Sequence, residues 1–172
     1  MRSTDAGSLT LPSGRIVVAD PNLNPWNPPF KTTVPPGTYP VHLALGDDDV
    51  ALVMVLFEEG PPTRWKRAQP STFSVDSATG CLMDFTLARL LRRKAELGRF
   101  DRYYRMFENE MAETGLWANF TPIPTTESNI VLFHTWGGDG VFPIYFGFDD
   151  AANPMCMVID MLLHLDDLSP KN

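Results

Sequence analysis

The sequence contains few of the residues and segments that mark several common protein classes. Its 172 residues include only two cysteines and three histidines. No apolar run reaches the roughly 18 residues that a membrane-spanning helix needs. The N-terminal residues show no basic start followed by an apolar stretch, so no secretion signal is visible. We therefore expect a cytoplasmic protein that does not enter the membrane.

The two cysteines, Cys81 and Cys156, are too few to indicate a disulfide-stabilised scaffold. They could pair with each other, but without an export signal we expect two reduced, buried thiols. Cys81 could instead act as a nucleophile if His134 lay beside it as a base. The sequence carries no family signature for such a pair, and a core thiol with an ordinary strand histidine is the simpler interpretation.

Positive charge is scarce, and half of it lies in one short stretch. The chain has 14 Lys and Arg against 21 Asp and Glu, a net charge of -7. This balance makes nucleic-acid binding unlikely, because the phosphate backbone favours a basic surface. Residues 89–105 hold seven basic residues against two acidic ones, a net charge of +5 that leaves -12 for the remainder. The seven are Arg89, Arg92, Arg93, Lys94, Arg99, Arg102 and Arg105.

This basic stretch has two interpretations. It could bind phosphate, nucleic acid or an acidic protein partner, and the partner-binding candidates are Arg89, Arg92, Arg93 and Arg99. Alternatively, it is a solvated helix face whose long side chains cover the core with their stems.

Hydrophobic patterning predicts strands in the first half of the chain. Residues 38–45 carry apolar side chains at every second position, and residues 50–57 form a continuous apolar run, so we predict a hairpin. Proline-rich residues 21–36 cannot form regular structure. Residues 63–68 and 73–76 are weaker strand predictions.

Helical spacing then replaces the strand pattern. Asp84 is a plausible N-cap for a first helix that stops near Gly98, and Asp101 is a plausible N-cap for a second helix that stops at Gly115. These signals predict a two-helix insertion at about residues 83–114.

The strand pattern returns in the last third of the chain. Residues 129–134, 141–148 and 155–163 are apolar runs, and the glycine-rich residues 137–140 between the first two indicate a hairpin turn. The end of the last run, residues 161–165, could instead be helical. We therefore predict one α+β domain over residues 1–172, mainly an antiparallel β-sheet or sandwich with the two helices inserted.

Three aspartates stand at or near the junctions between these segments, Asp76, Asp84 and Asp139, and a fourth, Asp160, lies within the last apolar run. If their carboxylates converge, they could bind a hard cation such as Mg²⁺ or Ca²⁺, or divide acid and base roles in hydrolysis. Each also has a structural explanation, because aspartate commonly binds backbone N–H groups in turns and at helix caps. No known metal-ligand spacing is matched, so the identity of any metal stays unknown.

Several motifs, in order, resemble one family. They occupy residues 14–21, 34–41, 75–84, 138–147 and 157–160. Together they are similar to DUF4241, a mostly bacterial family of unknown function, over nearly the whole chain. The resemblance places the recurrent acids of that family on Asp20, Asp76, Asp84, Asp139 and Asp160. Phe142 stands where the family usually has tyrosine, so any role of that hydroxyl is lost here.

Two functional hypotheses follow. The first is a small cytosolic binding or regulatory protein, including an immunity-type protein, because the chain is acidic and lacks a catalytic signature. The second is a hydrolase-like enzyme with an acidic, metal-bound aspartate cluster. Convergence of the four aspartates in one open pocket would favour the enzyme, and separate turns would favour the binding protein.

Overall fold

The described part of the chain folds into two β-sheets and a pair of helices. A computed structural model describes residues 1–162. Within this range the elements follow in this order: β1 (Arg2–Leu11), β2 (Ile16–Ala19), β3 (Gly37–Leu45), β4 (Val50–Leu56), β5 (Arg64–Val75), β6 (Thr79–Asp84), α1 (Phe85–Glu96), α2 (Asp101–Thr114), β7 (Trp117–Phe120), β8 (Ile130–His134), β9 (Gly140–Phe148) and β10 (Pro154–Asp160). The predicted α+β class with a two-helix insertion is confirmed. The helical segment begins at Phe85, because Met83 and Asp84 end β6.

Both sheets are antiparallel. The larger has the strand order β1-β3-β4-β10-β9-β5, and the smaller has the order β2-β6-β8-β7. The predicted hairpin is confirmed as β3 and β4, in which Val41 lies opposite Val55. The two weaker strand predictions belong to the single strand β5, whose register shifts between Arg67 and Thr72.

The smaller sheet is the middle layer of the fold. Successive strand residues point to opposite faces, so each strand of this sheet contributes to two cores. In β2, Ile16 and Val18 pack in the core between the two sheets, whereas Val17 and Ala19 pack in the core beneath the helices. All four residues are buried. The helices therefore cover one face of the smaller sheet, and the larger sheet covers the other.

Helix α1 begins as the sequence predicts. The side chain of Asp84 is the N-cap and accepts a hydrogen bond from the backbone N–H of Thr86 at 2.7 Å. The helix ends just before Gly98, which has a φ of 66° and donates its N–H to the carbonyl of Ala95. Glycine adopts this left-handed conformation without the steric cost that a Cβ adds.

Helix α2 differs from the prediction at its start. Asp101 is the first helical residue and not the N-cap, which is Phe100 in a helical conformation with no side-chain cap bond. The prediction of Asp101 as the cap is therefore wrong, although a carboxylate in the first turn is still favourable to the helix dipole. The predicted stop is confirmed, since Gly115 is left-handed and donates its N–H to the carbonyl of Met111.

The connection after β8 is not the predicted hairpin turn. Strand β8 lies in the smaller sheet and β9 in the larger, so residues 137–140 cross between sheets. Glycine-rich sequence specifies a reversal of the chain but does not specify which strand the next segment pairs with. The last predicted strand is confirmed through Asp160, and residues 163–165, where a strand or a helix was predicted, lie outside the described residues.

Neither helix within residues 1–162 is long and apolar enough to cross a bilayer.

Candidate functional site

A buried carboxylate joins two turns at one end of the smaller sheet. Asp20, just after β2, is 4% exposed. One oxygen, Oδ1, accepts hydrogen bonds from the backbone N–H groups of Asn22 and Leu23 at 2.9 and 3.1 Å, and from the Ser77 hydroxyl at 2.7 Å. The other, Oδ2, accepts from the backbone N–H of Asp76 at 3.0 Å. Four donors thus compensate the burial of this charge and tie residues 20–23 to the turn between β5 and β6.

A second set of hydrogen bonds, made by Ala78, fixes the same β5–β6 turn. Ala78 has a φ of 53°, a conformation that is costly for a residue with a Cβ. Its N–H donates to the Asp139 carboxylate at 2.9 Å, and its carbonyl accepts from the Thr135 N–H at 3.0 Å. Nδ1 of His134 lies 3.3 Å from that same carbonyl. Because a carbonyl only accepts, this contact places a proton on Nδ1 and makes Nε2 of the neutral ring an acceptor.

The hydroxyl of Ser77 fixes the orientation of a neighbouring amide. It gives its only proton to the Asp20 carboxylate, so it can only accept from Asn22, whose Nδ2 lies 3.2 Å away. Nδ2 of the Asn22 amide therefore faces Ser77, and Oδ1 is the amide atom that does not. That oxygen is buried and accepts no hydrogen bond from any residue in the described range 1–162. Leaving a buried acceptor without a donor costs about 1–3 kcal/mol.

These turns form one wall of a cleft of about 510 Å³. We call it the α2 cleft, because α2 forms the opposite wall. Side chains and backbone from both walls line it: Asn22, Leu23, Ser77, Thr79 and His134 on the sheet side, and Tyr104, Phe107, Glu108, Met111, Ala112 and Gly115 on the helix side. This volume lies in the usual range for a small-molecule site.

The helix wall brings a carboxylate to the cleft. Tyr104 is one turn from Glu108 on α2, and both side chains line the cleft. The Glu108 side chain raises the pKa of Tyr104 above its usual value, first by hydrogen bonding and then by its negative charge. The remaining lone pairs of the carboxylate stay available for other donors.

The four predicted aspartates occupy three separate places. Asp76 and Asp139 flank the β5–β6 turn and are both exposed. Asp84 lies at the far end of β6, about 17 Å of extended strand from its first residue. Asp160 is 2% exposed and ends β10 in the other sheet, where it pairs with Leu52.

The carboxylate of Asp84 is hydrogen-bonded to donors from Ser13 and Thr86. It is fully buried, and Oδ2 accepts from the backbone N–H and hydroxyl of Ser13 at 3.0 and 2.8 Å. Oδ1 accepts from the backbone N–H and hydroxyl of Thr86 at 2.7 and 2.6 Å. Among the described residues, no group of three His, Cys, Asp or Glu side chains is placed to hold a metal ion. The catalytic role of the four aspartates stays a prediction.

A family model described as "Protein of unknown function (DUF4241)" matches residues 9–159. The chain belongs to the DUF4241 family. The matched range includes every residue that lines the α2 cleft and stops one residue before Asp160. No curated protein and no solved structure matches the chain.

The four candidate arginines of this DUF4241 protein lie on exposed surface: Arg89, Arg92, Arg93 and Arg99. Arg92 pairs with Glu96 at 3.1 Å along α1, and the Arg89 guanidinium lies 6.0 Å from the centre of the Phe85 ring. Exposed pairs of this kind contribute little to stability. Partner binding by these arginines stays a prediction.

Sequence reasoning singled out Asp20 only as a recurrent family acid, and it missed the cleft. Asn22 and Glu108 lie outside the motifs of the family resemblance, and Ser77 lies inside one of them without being a candidate. A signal was present for the pairing of Asp20 with the β5–β6 turn, because both lie in motifs of the DUF4241 resemblance. The pairing of His134 with Cys81 is not seen in the cleft, since Cys81 packs in the core beneath the helices and does not line it.

Both cysteines of the DUF4241 protein are free and buried, as predicted. Burial raises the pKa of the Cys81 thiol, and the negative charge of Asp20 raises it further. Burial also raises the pKa of Cys156. Because the thiolate is the reactive form, we expect neither thiol to react with 5,5′-dithiobis(2-nitrobenzoate) at pH 8 in the native protein.

Both thiols should react rapidly once guanidinium unfolds the chain, and two equivalents of thiolate per chain should appear without added reductant. Rapid labelling of the native protein would contradict the burial of these thiols, and fewer than two equivalents after unfolding would indicate a disulfide.

Proposed function

We propose that this DUF4241 protein is a small cytosolic binding or regulatory protein whose ligand occupies the α2 cleft. The observation that supports this most is that the polar wall of the cleft is fixed before any ligand arrives. The Asp20 carboxylate accepts a hydrogen bond from Ser77, and the Ser77 oxygen accepts one from the Asn22 amide. The carbonyl of Ala78 accepts one from the His134 ring. Preorganised groups lose little freedom on binding, so more of their interaction energy appears as affinity.

The hydrolase hypothesis, with Mg²⁺ or Ca²⁺ in an acidic cluster, has less support. Its four aspartates are spread over both sheets, and Asp84 already accepts four hydrogen bonds. The cleft hydroxyl of Ser77 donates to a carboxylate and not to a nitrogen base, so nothing in this contact activates it as a nucleophile.

An immunity-type protein, which neutralises a partner protein by binding it, is one form that this function could take. The net charge of -7 suits a basic partner. The exposed arginines of α1 would suit an acidic partner instead, and the two possibilities differ in which surface a mutation must disrupt.

The test is a thermal-shift screen of defined amines, amino acids, organic acids, sugars and nucleotides, carried out on the parent protein and on Ala112→Trp. Ala112 is exposed and lines the cleft, so an indole there should fill it without disturbing the core. We expect at least one compound to raise the melting temperature of the parent, and Ala112→Trp to weaken its binding by more than about tenfold.

Two variants control this screen. Ala151→Trp places the same side chain at an exposed position between β9 and β10, outside the cleft, and should respond like the parent. The double charge reversal Arg92→Glu and Arg93→Glu should also respond like the parent. If Ala112→Trp keeps the response and the charge reversal loses it, the ligand binds the basic surface and the α2 cleft is not the site.

A further inference from the structure

We propose that the α2 cleft binds an alkylammonium group, such as the side chain of a lysine in a basic peptide or one end of a free diamine. This inference rests on the proposed function and names the class of ligand. It depends on the charge of the cleft, on the hydrogen-bonding character of its walls and on its apolar floor.

The charge of the α2 cleft is negative. Within the described residues, Glu108 is the only carboxylate that lines it, and no lysine or arginine lines it. The helix wall of the cleft runs from Tyr104 to Gly115, so it includes the C-terminal half of α2, whose end is the negative end of the helix dipole and whose last turn has no basic residue. Two more carboxylates, Glu110 and Glu113, lie on the same half of the helix. A cation bound here would supply the positive charge that this helix end lacks.

The polar groups of the cleft are mainly acceptors. The Ser77 hydroxyl donates its proton to a hydrogen bond with Asp20, so it offers only an acceptor to the cleft. Nδ1 of His134 faces the Ala78 carbonyl and carries a proton, so in the neutral tautomer the other ring nitrogen, Nε2, is an acceptor.

Asn22 lines the same wall. Its Oδ1 atom has no donor among residues 1–162, but it is buried from solvent, so the amide would have to turn before a ligand in the cleft could reach it. An ammonium group carries three donors and no acceptor, so it complements such a wall better than an anion or a neutral carbonyl compound does.

The floor of the α2 cleft is apolar. Phe107 and Met111 are 2% and 6% exposed and line the cleft beside Glu108 on the same helix. Leu23 lines it from the other wall. A chain of methylene groups could lie along these side chains while its charged end reaches the carboxylate, which is how lysine stems pack on protein surfaces.

Isothermal titration calorimetry with three probes tests this proposal. The probes are Nα-acetyl-lysine amide, its uncharged analogue Nα-acetyl-norleucine amide, and 1,5-diaminopentane. We expect the lysine derivative to bind at least about tenfold more tightly than the norleucine derivative, because only the ammonium can donate to the carboxylate. Binding of the lysine derivative identifies a peptide side chain as the source of the ammonium group, and binding of the diamine alone identifies a free amine.

The matched variants are Glu108→Gln and Glu113→Gln. Both remove one negative charge from an exposed position on α2, but only Glu108 lines the cleft. We expect Glu108→Gln to weaken amine binding about tenfold and Glu113→Gln to change it by less than about twofold. Equal binding of the lysine and norleucine derivatives, or equal effects of the two variants, would overturn the proposal. If no amine binds but Ala112→Trp blocks another compound from the screen, the cation proposal fails and the binding function stands.

Discussion

Replacing Asp84 with alanine should lower the free energy of unfolding by about 4 kcal/mol, because the change combines the loss of a helix cap with the loss of charged hydrogen bonds. Asp84 is fully buried and accepts from both Ser13 and Thr86. Alanine would leave two backbone N–H groups without their acceptor. It would also release the turn after β1 from the start of α1. Urea unfolding followed by circular dichroism measures the change.

Asp139→Ala is the matched control for Asp84→Ala. Both variants remove one aspartate charge, so the effect of net charge on stability is the same in each. Asp139 is exposed and accepts a hydrogen bond from the N–H of Ala78, so we expect a loss of about 1 kcal/mol. Equal losses in the two variants would show that burial and capping at Asp84 contribute nothing beyond a single exposed hydrogen bond.

The elements that sequence reasoning found are those whose signal is local. The hairpin of β3 and β4 was predictable because the side chains of β3 alternate between buried and more exposed positions, and because β4 is a continuous apolar run between turns. Asp84 was predictable as a cap because aspartate directly before a helical apolar stripe is the preferred arrangement.

The strands that were missed lack that local signal. Strand β1 is a polar edge strand in which only Ala6, Leu9 and Leu11 are buried, so its alternation is weak. Strand β6 has the opposite problem. Its residues are buried on both faces, between the larger sheet and the helices, so it shows no alternation and resembles the start of a helix.

The candidate site was only partly predictable, because it is assembled from segments that are distant along the chain. Asp20 contacts Ser77 across 57 positions, and Asp139 contacts Ala78 across 61. Sequence reasoning could identify aspartates at junctions, but the convergence of any two depends on strand pairing and on the length of β6 between Asp76 and Asp84. Helix α2 was predicted as part of the two-helix insertion, but nothing in its sequence indicated that Glu108 faces a cleft.

Replacing Asp20 with asparagine should lower both the stability of the fold and the affinity of the α2 cleft for its ligand. The variant therefore tests whether Asp20 organises the cleft as a binding site. The amide keeps the shape of the carboxylate but offers one acceptor oxygen to four donors, and it turns an NH₂ group toward a backbone N–H or the Ser77 hydroxyl. We expect the free energy of unfolding to fall by about 3 kcal/mol, since buried donors lose a charged acceptor.

The folded fraction of Asp20→Asn should also bind the amine probes at least about tenfold more weakly, because Asp20 holds Ser77, and Ser77 holds the amide of Asn22. Asp5→Asn is the control, since Asp5 is exposed, accepts from the N–H of Gly7 and lies far along the chain from the cleft residues. It should lose less than about 1 kcal/mol and keep its affinity. Calorimetry at a temperature at which both variants are folded separates the two effects. A destabilised Asp20→Asn protein with unchanged affinity would mean that Asp20 stabilises the fold but does not organise the cleft.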